Sequence, residues 1–240
     1  LSLVIAASLF SRFNPLEAFL AQESFWNFLV QDFLPPRVQK LPELAGAILT
    51  TLKLALGSTF LATLCAALIA PFGSLASTPS VALSKVIRGF ASVLRNIPAL
   101  VWAMLLFMSL GIGTGVGFIA VFLQTLGFLI RAFIELVDEM GSSTLEASSA
   151  SGATFFQKVF QIIIPSCLIG YISWFLYSIE LNIRSSTIVG MVGGGGIGMV
   201  MFSYIKSFKY DIACGIILVV ALMIILIDAL TQYLRKKVLV

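Results

Sequence analysis

The sequence predicts an all-α, polytopic membrane protein of about six transmembrane helices, and three observations lead there. Of its 240 residues, 59% are hydrophobic and 11% charged, against roughly 45–50% apolar and about 25% charged in a soluble domain. The mean hydropathy is +1.06. A globule of this size cannot hide so much apolar surface from water, so the excess has to face lipid. The apolar residues also come in long runs, at about 1–13, 46–70, 97–112, 114–130, 162–179 and 212–227, on the scale of the roughly 20 residues a helix needs to cross the hydrocarbon.

Each run is justified in turn. The opening run reads as the remnant of a trimmed span. A signal-peptide core is the alternative, but Ser11-Arg12-Phe13 is a poor cleavage site. The chain starts at Leu1 rather than methionine, so a preceding segment is expected. Residues 14–45 hold Pro35-Pro36, four carboxylates and the aromatics Phe19, Phe25, Trp26, Phe28 and Phe33, the composition of an interfacial helix. The 46–70 run spans outright, with Lys53 able to snorkel to the interface. The three middle runs reach spanning length only with their amphipathic flanks. Gly111, Gly113, Gly115 and Gly117 predict a tight outer turn between the third and fourth helices. The last run extends past Asp228 toward Tyr233. Residues 1–45 are thus expected to form a truncated first helix plus an extracytoplasmic segment. Residues 46–240 form a five-helix core with a loop at 136–165.

Basic residues orient the spans. With 71–96, 131–161 and the tail from 234 in the cytoplasm, that side receives Lys85, Arg88, Arg95, Arg131, Lys158, Arg235, Lys236 and Lys237. The opposite side receives Arg37, Lys40, Arg184, Lys206 and Lys209, so the excess favours this orientation. Histidine is absent, which removes the usual general base and the commonest metal ligand. Cys65, Cys167 and Cys214 each lie in an apolar run and read as small membrane-core residues, not as a disulfide or zinc site. A net charge of +4 is too weak and dispersed for a nucleic-acid surface.

The loop from Gly141 to Pro165 is the most informative stretch. Ser143-Thr144-Leu145-Glu146 fits one capping box and Thr154-Phe155-Phe156-Gln157 a second. Gly152 between them can turn the chain at positive φ, and Pro165 is expected to break or kink the chain where the next span begins. Phe155, Phe156, Val159, Phe160 and Ile163 fall on one apolar side of the second short helix. Two short capped helices joined at a glycine corner suit a docking knob.

This loop resembles the signature of binding-protein-dependent ABC importer permeases, Glu-Ala-Ala, three residues, Gly, nine residues, Ile, one residue, Leu-Pro. Glu146-Ala147-Ser148, Gly152 and Ile162-Ile163-Ile164-Pro165 keep that spacing, departing at Ser148 and Ile164. The resemblance implies a type I importer permease of the bacterial inner membrane and assigns Glu146, Ala147, Ser148, Gly152, Ile162 and Pro165 to coupling with an ATPase. The chain has no G-x-x-x-x-G-K-[ST]. The resemblance therefore implies a transport subunit, not an enzyme. It binds no cofactor itself; ATP and Mg2+ belong to a partner ATPase. Gly193-x-Gly195-x-x-Gly198 matches a dinucleotide fingerprint only formally, because it follows a membrane helix and lacks the distant acidic residue.

Beyond the fifth run, Glu180, Asn182, Arg184, Ser185, Ser186 and Thr187 gather near the expected outer end. Ionisable groups at such depth face a cavity or a partner helix. Glu180 and Arg184 read either as a self-neutralising pair or as a gate or anion contact, with Arg184 the proposed grip on an oxyanion. The glycine-dense stretch Gly190–Gly198, with Gly193, Gly194, Gly195 and Gly196 consecutive, disfavours a stable helix. It reads as a re-entrant bend beside the pathway or as a flexible outer loop. Together with Arg95-Asn96-Ile97-Pro98 and the Asp228 to Arg235-Lys236-Lys237 ending, these motifs make roughly residues 40–237 similar to phosphonate-type permeases. Methionine-type and other small-solute permeases share parts of them. The resemblance implies a second permease copy, two ATP-binding subunits, an extracytoplasmic substrate-binding protein and alternating access for phosphonate, phosphite, phosphate or a phosphate ester. A secondary transporter coupled through Glu180 or Asp228 would need inverted repeats, and the sequence contains none.

Overall fold

A computed structural model describes residues 22–37, 41–139, 148 and 150–239. The described residues form helices joined by short turns. α1, Gln22–Asn27, continues in wider turns through Phe28–Phe33. It lies against the start of the last helix, where Phe28 meets Tyr210 edge-on at 5.1 Å and Arg37 reaches Asp211 at 3.4 Å.

α2, Leu41–Gly73, runs 33 residues, roughly 50 Å at ~1.5 Å per residue. Thr51, Ala55, Thr59, Ala62, Ala66 and Ala70 recur every three or four positions and are fully buried. Small residues at that spacing let another backbone approach closely, which is how helices associate in lipid. The other face carries exposed Leu49, Leu56, Phe60, Leu64 and Leu68. Such side chains gain nothing from water, so this face is turned to lipid.

The helix that packs on the small-residue face is α5, Thr114–Glu139, the centre of the fold. Its buried Leu129, Ile130, Phe133, Ile134 and Val137 share one core with α2 and with Ala91 and Leu94 of α3, Val81–Asn96. α4, Ala99–Leu110, follows at 86° to α3. Pro98 explains the bend: it offers no N–H to continue α3 and holds Ile97 extended, at φ −89° and ψ 116°.

α6, Phe155–Lys158, passes through a wide turn at Val159–Ile163 into α7, Ile164–Val189, and a second wide turn at Gly190–Gly194. α8, Gly196–Lys206, and α9, Tyr210–Leu239, complete the chain.

Several expectations are corrected. Among the described residues, four helices are long and apolar enough to cross a membrane (α2, α5, α6 with α7, and α9), or five where the bent α3–α4 pair is taken as one broken span. The expected span at 97–112 is therefore no span by itself: α4 has 12 residues, roughly 18 Å. The run at 1–13 lies outside the described residues. The outer glycine turn is confined to 111–113, since α5 begins at Thr114 and absorbs Gly115 and Gly117. Pro165 does not break the chain; the missing N–H is accommodated by the wide turn just before it, where Ile164 donates to the Val159 carbonyl.

Candidate functional site

At the end of the 136–165 loop, Ser148 and Ala150 are helical, and the Ala153 N–H donates to the Ser148 carbonyl at 3.0 Å across Gly152 at φ +80°. That is a left-handed helix cap, for which glycine is the least strained residue. The chain restarts at once: Gln157 N–H donates to Thr154 Oγ1 at 3.4 Å, and the Thr154 N–H donates to Gln157 Oε1 at 2.8 Å. Glu146 and Ala147, like the first capping box from Ser143, lie outside the described residues.

The corner is anchored from within. Phe155 stacks on Phe72 of α2 at 4.7 Å, and Val159 and Ile163 are buried in the central core. Phe156 and Phe160 point the other way, 65% and 58% exposed, so the five apolar residues of this stretch divide between two faces. Ile162 is half-buried and Pro165 exposed.

Beside the corner stands a cluster that sequence reasoning missed. Asp138, near the end of α5, accepts from Ser74 Oγ at 2.6 Å, the Leu75 N–H at 3.1 Å and Arg88 Nη2 at 2.6 Å. Arg88 Nε also donates to the Gly73 carbonyl at 2.9 Å. One carboxylate thus ties the 74–80 loop and α3 to α5. The hint in sequence was an acidic end to an apolar helix, Glu135, Asp138 and Glu139, beside an amphipathic helix carrying Lys85, Arg88 and Arg95.

Between α5 and α7 the helices carry polar side chains inward. Asn182, 5% exposed, donates to Thr59 of α2 at 2.7 Å and to Thr125 of α5 at 2.8 Å, and so ties three helices. Next to it is a cavity of about 190 Å3 lined by Arg95, Gln124, Thr125, Phe128, Ser178, Leu181, Asn182 and Ser185. Ser178, Leu181, Asn182 and Ser185 come from one face of α7 at helical spacing.

Arg95 was expected in a cytoplasmic loop. Its backbone packs instead halfway along α5: Gly127 leaves room for nothing but Leu94 and the Arg95 backbone, whose nitrogen would stand 2.7 Å from an added Cβ, while the Arg95 residue is exposed in the single chain. α3 therefore descends into the bundle before it bends.

The outer polar group divides. Glu180 and Arg184 pair at 3.7 Å, with Arg184 54% exposed and outside the cavity lining. Thr187 is buried and donates to the Ile183 carbonyl, Ser186 is buried with its hydroxyl unpartnered, and Ser185 stays at the cavity.

The glycine stretch is helical at its two ends and broken between, from Val192 to Gly196. Gly193 sits at φ +104°, Gly195 at +82° and Gly196 at +71°. It is a packing knot. Gly194 meets Gly117 of α5, where an added Cβ would stand 3.1 Å from the Gly117 Cα, and Gly113 N–H donates to the Gly193 carbonyl at 3.0 Å. The Ile197 N–H donates to Thr51 Oγ1 at 2.9 Å. The irregular backbone is thus enclosed by α2, α4 and α5, the condition for such backbone at membrane depth.

Residues 69–240 match the family described as binding-protein-dependent transport system inner membrane component. The chain is 28% identical over 208 residues to the phosphate-import permease protein PhnE of Mycolicibacterium smegmatis, covering 87% of this chain and 39% of that protein. It is 27% identical over 208 residues to the phosphite transport system permease protein PtxC of Stutzerimonas stutzeri, covering 87% and 76%. Its fold is similar to that of the MetNI methionine ABC transporter in an inward-facing conformation, with a TM-score of 0.71 and 18% identity over 83% of this chain and 99% of that one. Sequence, helices and fold agree: the chain belongs to the binding-protein-dependent transport system inner membrane components, as a multi-pass ABC importer permease.

Proposed function

We propose that this chain is the permease of an ATP-driven importer that passes phosphonate or a related phosphorus oxyanion (phosphite, phosphate or a phosphate ester) across the inner membrane by alternating access. The coupling corner carries the reading. A capped glycine turn held on the core by Phe155, Val159 and Ile163 is a stiff handle, and Phe156 and Phe160 beside it are exposed for a partner. A force applied there by ATPase closure passes into α7 without being absorbed by a soft loop. The substrate class is supported by relatives named for phosphate and phosphite.

The working assembly in this reading is two copies of the permease, two ATPase subunits that hold ATP and Mg2+, and an extracytoplasmic binding protein that delivers the anion. The coupling residues are Glu146, Ala147, Ser148, Gly152, Ile162 and Pro165. The two units of the chain are the segment up to residue 45 and the core from 46 onward. The test is vesicle uptake by the full complex offered phosphonate, phosphite, phosphate, phosphate esters and methionine. Import of one or more phosphorus oxyanions is the expected result; import of methionine alone overturns the substrate class.

A further inference from the structure

We propose that the half-open cavity between the end of α3, α5 and α7 is a holding station for a small oxyanion on the translocation path, with the Arg95 guanidinium as its charged donor and the Ser178 hydroxyl as a second donor. The inference rests on the substrate class proposed above and names the residues that recognise it.

Two observations carry it. Among the described residues, Arg37, Arg88, Arg131 and Arg184 each face a carboxylate within 4.0 Å, whereas Arg95 has no such partner and the cavity it lines contains no Asp or Glu. Arg95 is exposed in the single chain, so its guanidinium stands open at the cavity mouth, and a cation within a spanning bundle usually faces such a cavity or a partner. Ser178 is the second. It is 1% exposed and its hydroxyl has no hydrogen-bond partner. Thr125, Thr59 and Thr187 donate back to their own helices, to Val121, Ala55 and Ile183; the Tyr171 and Ser186 hydroxyls are also unpartnered, but of the three only Ser178 lines this cavity. A buried hydroxyl left open beside an unpaired cation is a site lacking its ligand.

The chemistry that fits is a small anion rich in acceptors. A guanidinium offers parallel donors matched to two oxygens of one tetrahedral group. The volume of about 190 Å3 equals roughly six waters at ~30 Å3 each, room for such an anion with part of its shell. An ammonium-bearing solute such as an amino acid would find no counter-charge among these lining residues. Asn182 has both amide protons engaged by Thr59 and Thr125, so it shapes the wall. Phe128 closes the cavity toward the coupling corner, and on its other side a second cavity of about 350 Å3 holds Ser173, Trp174, Tyr177 and Arg235. There the Arg235 guanidinium lies over the Tyr177 ring at 5.8 Å, with Nε and Nη2 buried without hydrogen-bond partners. An anion released past Phe128 therefore meets another guanidinium on the same route.

The experiment is uptake by the complete complex in vesicles, corrected for assembled complex, with whichever of phosphite, methylphosphonate and phosphate the unaltered complex imports fastest. Arg95→Gln is expected to lower uptake about tenfold or more, Arg95→Lys less, and Ser178→Ala a few-fold, the scale of losing one charge-assisted or one neutral hydrogen bond. Arg184→Gln is expected to lower it less than Arg95→Gln. If Arg95→Gln does not assemble, Arg95→Lys and Ser178→Ala carry the test, and unchanged uptake in both overturns the station. Unchanged uptake in Arg95→Gln, or a larger loss at Arg184, overturns it while leaving the importer reading intact. An unaltered complex that imports none of the three overturns the substrate class, and the station falls with it.

Discussion

Two polar residues that tie several elements together, Asn182 and Asp138, are the sensitive points at the residue scale. Asn182 bonds to helices α2 and α5 at once. Thr59 and Thr125 also donate to their own helices, so neither hydroxyl is stranded when Asn182 is lost. Asn182→Leu is therefore expected to cost only about 1–2 kcal/mol, the upper range for interhelical hydrogen bonds in membranes, read as a lower thermal midpoint of the purified complex. Asp138 differs, because its carboxylate holds three donors including Arg88, with side chains 32% and 22% exposed. Asp138→Asn keeps the shape but removes the charge. The expected loss is about 1–3 kcal/mol for a charged hydrogen bond, with protease cleavage increasing in the 74–80 loop.

Close approach is what positions the helices at the element scale. Gly127 lets α3 come down onto α5, since an added Cβ would stand 2.6 Å from the Leu94 Cβ and 2.8 Å from the Ala91 carbonyl. These are backbone and near-backbone atoms that cannot swing aside. Gly127→Ala is expected to push the end of α3 outward and to lower uptake along with stability. Cysteine cross-linking between the α3 end and α5 would report the shift; unchanged cross-linking would place the flexibility elsewhere. The amphipathic pattern of α3 is legible in its residues, and Pro98 announces the bend. Its depth is not, because Lys85, Arg88 and Arg95 read equally well as a cytoplasmic surface.

A single run of helix links the coupling corner to the outer glycine knot across the whole molecule. From Phe155 to Met191, just before the break at Val192, it rises roughly 55 Å at ~1.5 Å per residue, and it passes the Arg95 cavity on the way. Motion at the corner is therefore delivered to both the cavity wall and the knot. Glu146→Ala combined with Gly152→Leu is expected to leave the permease in the membrane but to abolish substrate-stimulated ATP hydrolysis and uptake. Leucine at φ +80° costs of order 1–3 kcal/mol of strain and places a branched side chain where the open corner now has nothing within 4 Å. Normal stimulation in the double variant would dissociate this corner from coupling.

The sequence by itself determined the solvent and the class. Apolar runs of spanning length dictate helices in lipid, and Gly152 with the Thr154–Gln157 capping box dictates a capped corner, because these are local properties of backbone and hydration. Span count, depth and partnership were decided by the tertiary structure. Periodicity tells which face of a helix is buried but not how deep it sits or what it meets. Arg95 came to line a cavity between helices only when α3 packed on Gly127, whereas the Glu180–Arg184 pair, four residues apart on one helix, was legible in the sequence. The glycine run became an enclosed knot only because α2, α4 and α5 approach it from three other parts of the chain.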